Sequence, residues 1–274
     1  LNAFYGFDKP ILESYVIWLG KVVTFYLGES TRYQGPDWEI IKERLPISTF
    51  YGISTLILTY LVCIPLGMSK AMRHGGIYDN WSSALVFLGY AVPGYIVGIA
   101  GITFFASHWE IFPLGGFVSD DFSDYSLWQQ IKDILWHAVL PLTAYMAGGF
   151  AVTTFMMKNA LMDNLSADYM RTAVAKGLSK PQAVRRHALR NSLIPIATSF
   201  GENIAFFMSG SFLIETIFNI DGIGLLGYEA VVQRDYPVVM GILAITAMLQ
   251  LLGNILSDVC VAIVDPRIRF GGGQ

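Results

Sequence analysis

Long apolar runs, each broken off by a short polar loop, set the pattern of this chain. They fall at about 47–68, 81–106, 136–157, 193–218 and 237–264, and each reaches the ~20 apolar residues that a helix needs to cross a bilayer. The runs are continuous, unlike the alternating strands of an outer-membrane barrel. The second contains Pro93 and the small-residue spacing Gly94/Gly98, which lets helices approach closely; the third has Pro141 near its start. Residues 1–45 are polar enough to stand outside the bilayer. Within them Ile11–Leu27 is moderately apolar but broken by Glu13 and Lys21. It predicts either an amphipathic helix on the membrane surface or a packed helix of a small cap. Asp37–Leu45 predicts a second short helix ended by Pro46. The loop 107–135 and the segment Asn219–Tyr236 carry Gly and Asp turn signals.

The polar stretch 158–192 breaks this rhythm. Tyr169–Lys176 is rich in helix formers, and Gly177 stands where a helix C-cap places glycine. Ser179 and Gln182 have capping-box spacing, with Pro181 in the first turn of the next helix. The expectation is helix, sharp turn, helix, displayed at a membrane surface.

Composition supports the membrane class. The chain is 54% hydrophobic and 14% charged, with mean hydropathy +0.49; a soluble domain carries about a quarter of charged residues. The net charge of -3 matters less than its distribution. Eleven of the 18 Lys and Arg lie in the loop 69–80, the stretch 158–192 and the tail 265–274. The loop 107–135 is acidic. The positive-inside rule therefore puts the basic stretch and the C-terminus in the cytoplasm. Five spans then leave Leu1 outside with no signal peptide, and this parity predicts a sixth helix upstream of Leu1. Cys63 and Cys260 read as buried apolar residues rather than a disulfide or metal pair.

Several polar side chains fall inside the runs. Gln250, Asn254 and Asp258 recur at i, i+4 and i+8 and share one helix face. They either line a pathway or gate, or hydrogen-bond between helices. Glu202 and Glu215 each either contact a cationic solute or pair structurally. The small residues Ser209, Gly210 and Ser211 permit close packing or local unwinding. The chain has no phosphate-binding GxxxxGK loop, no HExxH and no nucleophile elbow, so no catalytic or metal set is assigned. The basic stretch, set beside a span, suits topology, lipid headgroups or a protein partner better than nucleic acid.

The segment Asp168-Tyr169-Met170-Arg171-Thr172-Ala173-Val174-Ala175-Lys176-Gly177-Leu178-Ser179, followed by Arg186-His187-Ala188-Leu189-Arg190-Asn191-Ser192-Leu193-Ile194-Pro195, resembles the EAA loop of binding-protein-dependent ABC importer permeases. The resemblance is to the B-type permeases of the oligopeptide, dipeptide and nickel branch. Thr172-Ala173-Val174 stands where the wider superfamily has Glu-Ala-Ala. Tyr5–Pro10, Arg44-Leu45-Pro46, Ile64–Gly67, Ala91-Val92-Pro93, Glu215–Phe218, Arg234–Val238 and Asp265–Ile268 extend it over nearly the whole chain. Leu225–Ala230 and Asn254–Asp258 look most like YejB-type permeases of peptide and microcin C uptake.

The resemblance implies an all-α polytopic protein of the bacterial inner membrane. It implies a C-type partner permease, two ATP-binding subunits or one fused pair, and an extracytoplasmic peptide-binding protein. This chain would need no cofactor, with ATP and Mg on the partners. Ala173, Gly177, Leu178 and Ser179 would dock the ATPase subunit, with His187, Arg190 and Asn191 holding the second helix against the membrane end. An ion-coupled carrier or channel is the competing class, and a membrane enzyme using Asp258 or His137 a third.

Overall fold

A computed structural model describes residues 10–24, 26 and 28–265. Residues 5–9 and 266–268 of the two terminal motifs lie outside the described residues. The described chain is helical; its only extended pairing is an isolated bridge between Glu29 and Pro36. In order come α1 (Ile11–Val23), α2 (Asp37–Met72), α3 (Ile77–Ala91), α4 (Gly94–His108) and α5 (Leu127–Ser166). Then follow α6 (Asp168–Ala175), and α7, formed by Lys180–Ala183, Val184–Ala188 and Leu189–Ser192 running on from one another. The chain closes with α8 (Ile194–Thr198), α9 (Phe200–Met208), α10 (Phe212–Ile217), α11 (Ile223–Gln233) and α12 (Tyr236–Val264).

Helices α2, α5 and α12 are each long and apolar enough to cross a membrane, and α3 with α4 makes a fourth candidate bent by 90°. The bend has a local cause. Pro93 offers no N–H, and the residue before it, Val92, is pushed out of helical geometry to φ -96°, ψ 116°. The straight span expected at 81–106 is therefore corrected to a broken one that begins at Ile77. The run 193–218 is likewise not one helix: it is interrupted at Ser199 and again at Ser209–Ser211, where Gly210 has φ +76°. Pro46, in contrast, does not end a helix, because α2 runs straight through it. A proline removes one intrahelical bond, and the packing along α2 outweighs that loss. The turn-rich segment Asn219–Tyr236 holds α11, and α5 extends past the expected 136–157 at both ends, placing Lys158 inside a helix.

Small residues set the interhelical contacts. Helices α2 and α5 run parallel, with Tyr51 stacked on Tyr145 (5.9 Å between centroids), Cys63 Sγ donating to the Phe150 carbonyl, and Gly67 against Thr154 and Met157. Both cysteines are free thiols, Cys63 buried and Cys260 half-buried. Helices α9 and α12 run antiparallel and meet at Gly201 and Gly253, where a Cβ on either residue would overlap the other's backbone. Ser257 Oγ lies beside this crossing, accepting from Gly201 N–H at 2.7 Å and donating to the Thr198 carbonyl at 2.8 Å. Gly201 is in the first turn of α9, where the N–H lacks an intrahelical partner. Ser257→Ala is thus expected to cost about 1–3 kcal/mol. A lowered melting temperature of the purified protein in detergent reads this out; an unchanged melt would refute the role.

Candidate functional site

The basic stretch forms the expected capped hairpin. Helix α6 ends at Gly177, whose φ of +95° suits glycine. Gly177 N–H donates to the Val174 carbonyl at 2.9 Å and Leu178 N–H to the Ala173 carbonyl at 3.2 Å, the paired bonds of a Schellman motif. Two residues on, Ser179 and Gln182 close a reciprocal capping box, with Ser179 N–H donating to Gln182 Oε1 at 3.1 Å. Two tight caps in succession leave the hairpin little freedom.

Its apolar side is buried. Ala173, Ala183, Val184 and Ala188 pack against Met157 and Leu161 of α5 and Ala71 of α2. Ala173 therefore cements the hairpin to the spans, while Gly177 and Ser179 are exposed at the turn and Leu178 is half-buried. Arg190 reaches across to α12: its Nε donates to the Val264 carbonyl at 2.6 Å and its Nη2 to the Ile263 carbonyl at 3.3 Å. A guanidinium on the last carbonyls of a helix satisfies orphan acceptors and complements the helix dipole. Arg190, His187 and Asn191, with Tyr169, Arg186 and Asp265, line an open cavity of about 480 Å³.

A second cluster, which sequence reasoning missed, braces the same end. Asp79 at the start of α3 is buried, and both its oxygens accept from Lys158 Nζ, at 2.7 and 2.8 Å. Fully buried Lys70 donates to the Asp79 carbonyl and to Ser82 and Ser83 Oγ. Lys158 and Lys70, counted above toward topology, are thus internal structural cations. Asp79 is the single carboxylate of the loop 69–80, a weak signal in hindsight.

Inside the spans, Glu215 is 1% exposed and surrounded by donors. Oε1 accepts from Tyr145 Oη–H at 3.1 Å and Ser211 N–H at 3.2 Å; Oε2 accepts from Leu225 N–H at 2.6 Å. Leu225 is in the first turn of α11, so the carboxylate also caps that helix. Gly210, Gly222 and Gly224 make room for this arrangement: a Cβ on Gly210 or Gly222 would strike the Glu215 carboxylate, and one on Gly224 would meet Ser211 N at 2.7 Å. Glu215 thus joins the break before α10 to the start of α11. Ser209 Oγ is satisfied within its own helix by the Ala205 carbonyl at 2.7 Å.

The i, i+4, i+8 set on α12 behaves differently. Gln250 Nε2 donates to Asn254 Oδ1 at 3.1 Å, and Asn254 and Asp258 are exposed on the outside of this chain. Glu202 on α9 is exposed too. Because α9 and α12 are antiparallel and cross at Gly201 and Gly253, Glu202 and Asn254, each one residue further on, turn to the same side. The structure brings these residues to one outer face and keeps Glu215 and Ser209 apart from it. Among the described residues no His, Cys, Asp and Glu group could hold a metal ion.

The described residues form a helical membrane fold, with parallel and broken membrane-length helices and a capped hairpin at the basic end. The same fold occurs in a chain of the MetNI methionine ABC transporter, solved in inward-facing conformations; the TM-score is 0.62 at 16% identity, covering 82% of this chain and 96% of that one. Residues 63–270 match the family of binding-protein-dependent transport system inner membrane components, and the chain belongs to that family. Relatives include the inner membrane ABC transporter permease protein YejB of Escherichia coli O157:H7, 43% identical over 98% of this chain and 74% of that protein. The peptidoglycan transport system permease protein YejB of Agrobacterium fabrum is 41% identical over 98% and 75%. The oligopeptide transport system permease protein AppB of Bacillus subtilis is 35% identical over 97% and 83%.

Proposed function

We propose that this chain is one of two permease subunits of an ATP-driven peptide importer, with the hairpin Asp168–Ser192 as its contact to an ATP-binding subunit. The doubly capped turn in a chain of this family carries the reading. A rigid plug seated in a partner's groove transmits motion that a slack loop would absorb. Gly177, Leu178 and Ser179 present the plug, Ala173 anchors it from beneath, and Arg190 ties it to α12. His187 and Asn191 border the cavity beside it. In this reading the chain crosses the membrane five times, with the broken run 193–218 counted as one crossing. Residues 1–45 lie outside, 46–264 form the permease domain and the tail is cytoplasmic.

A C-type permease completes the pathway, a peptide-binding protein delivers solute, and ATP with Mg sits on two separate or fused ATP-binding subunits. The outward face bearing Glu202, Gln250, Asn254 and Asp258 suits a pathway between two permeases, because a lone chain leaves it uncovered. ATP-driven closure of the partners would rock the spans and alternate access to that pathway. Relatedness to the oligopeptide permease AppB supports oligopeptides as the solute, and the resemblance of Leu225–Ala230 and Asn254–Asp258 to YejB-type permeases extends the proposal to peptide antibiotics of the microcin C kind.

The test is uptake by the reconstituted assembly. Peptide accumulation should require ATP hydrolysis and should persist when ion gradients are collapsed. Accumulation driven by an ion gradient without an ATPase would establish the carrier reading instead.

A further inference from the structure

The 90° bend between α3 and α4 leaves a groove against α2 and α5. Its volume is about 440 Å³, and Leu66, Leu85, Val86, Gly89, Val97 and Phe150 supply most of its apolar lining. Ser82 borders it too, but its Oγ already accepts from Lys70 Nζ at 2.8 Å and donates to the Asp79 carbonyl. The groove thus lies at span depth and offers little to water, which needs two to four polar partners.

We propose that this groove holds one acyl chain of a glycerophospholipid, with the lipid phosphate on Arg73. A volume of this size takes one acyl chain, and a protein helix seated on the groove is the outcome that the crosslink below tests. A flexible acyl chain can follow the groove along its length. On α3, Tyr78, Ser82, Leu85 and Gly89 share one face, so the groove points along that helix toward the basic loop. Arg73, the residue that caps the end of α2, follows Leu66 by two turns on the same face, about 10 Å nearer the basic end.

Arg73 is exposed, lies 4.9 Å over the Tyr78 ring, and has no carboxylate partner among the described residues. Tyr78 Oη in turn meets Ser69 Oγ at 2.9 Å, joining the arginine to the helix that lines the groove. An unpaired guanidinium above an apolar slot matches a phosphate above an acyl chain. A lipid so placed would wedge the bent span in position. This proposal stands apart from the peptide reading, since it concerns the membrane rather than the solute.

Gly89 provides the decisive variant. A Cβ there meets nothing within 4 Å, so a side chain added at this lining position starts in open space on the groove. The experiment is native mass spectrometry of the purified assembled transporter, offered phosphatidylglycerol or phosphatidylethanolamine. The parent should retain one phospholipid of either kind, because both carry the phosphate. Gly89→Leu should lower retention about tenfold, the effect of displacing roughly two methylenes from an apolar site. Arg73→Gln, at an exposed position, should weaken retention of both lipids while leaving the melting temperature unchanged. Equal retention by Gly89→Leu and the parent would overturn the proposal. So would a disulfide formed between a cysteine at position 89 and the partner permease, which would put a protein in the groove. Failure here would leave ATP-driven peptide uptake untouched, so the two readings fail separately.

Discussion

Glu215→Ala is expected to destabilise the protein by on the order of 4 kcal/mol, because it strips the acceptor from Leu225 N–H and the Tyr145 phenol, both shielded from water, and leaves Ser211 N–H only Tyr145 Oη at 3.2 Å. Inside a membrane those donors have no solvent to turn to. The break at Gly210 would lose its tie to α11, and the opposite end of the fold would loosen. Glu215→Gln separates a structural role from solute contact. Both carboxylate oxygens accept hydrogen bonds, so the amide NH2 of glutamine must face a donor in either orientation. The isosteric variant should therefore melt well below the parent, with transport lost in proportion to folded protein. Tyr145→Phe removes one donor of the set and should cost only about 0.5–1.5 kcal/mol. A Glu215→Gln protein with parental melting temperature and a changed solute preference would show that Glu215 touches solute.

Gly177→Val is expected to abolish transport while the chain still inserts and folds. The cause is conformational, since a Cβ at Gly177 meets open space. At φ +95° a β-branched residue is a steric outlier, and holding it there costs about 1–3 kcal/mol. The turn can relieve that strain by unwinding, because it is exposed, whereas Ala173, Ala183 and Ala188 keep the rest of the hairpin packed. The damage is then confined to the Schellman bonds and the displayed edge. Gly177→Asn, which tolerates left-handed geometry better, should retain part of the activity. The readouts are peptide-stimulated ATP hydrolysis and uptake by the reconstituted assembly, alongside its melting temperature. Parental coupling in Gly177→Val would remove the hairpin from the mechanism.

Both caps of this hairpin were legible in the sequence, because they depend on residues within five positions of each other. Gly177 and the Ser179–Gln182 pair carry their conformation locally. Proline is less legible: Pro93 stands inside an expected continuous span, 81–106, yet breaks it, and Pro46 is expected to end a helix, yet does not. Whether a helix continues through proline depends on how its flanks pack, and α2 is packed on α5, α9 and α12. The breaks within 193–218 were only half legible. Small residues at 209–211 allowed either close packing or unwinding, and Glu215, through its contact with α11, decided for the break.

Charged residues show the limit most clearly. Lys70 and Lys158 were counted among the cations of the basic end, yet only the lone carboxylate of the loop 69–80 hinted that Asp79 is the common partner of both. Asn254 and Asp258 read as one stripe, but only the crossing at Gly201 and Gly253 showed that they share an outer face with Glu202.

From the sequence alone came the membrane class, the apolar runs, the capped hairpin and the family resemblance, since each rests on composition or on short-range spacing. Tertiary structure decided which polar groups are satisfied inside and which are left outward. A buried carboxylate and an exposed one are the same letter in the chain, and only the donors that packing brings within about 3 Å tell them apart.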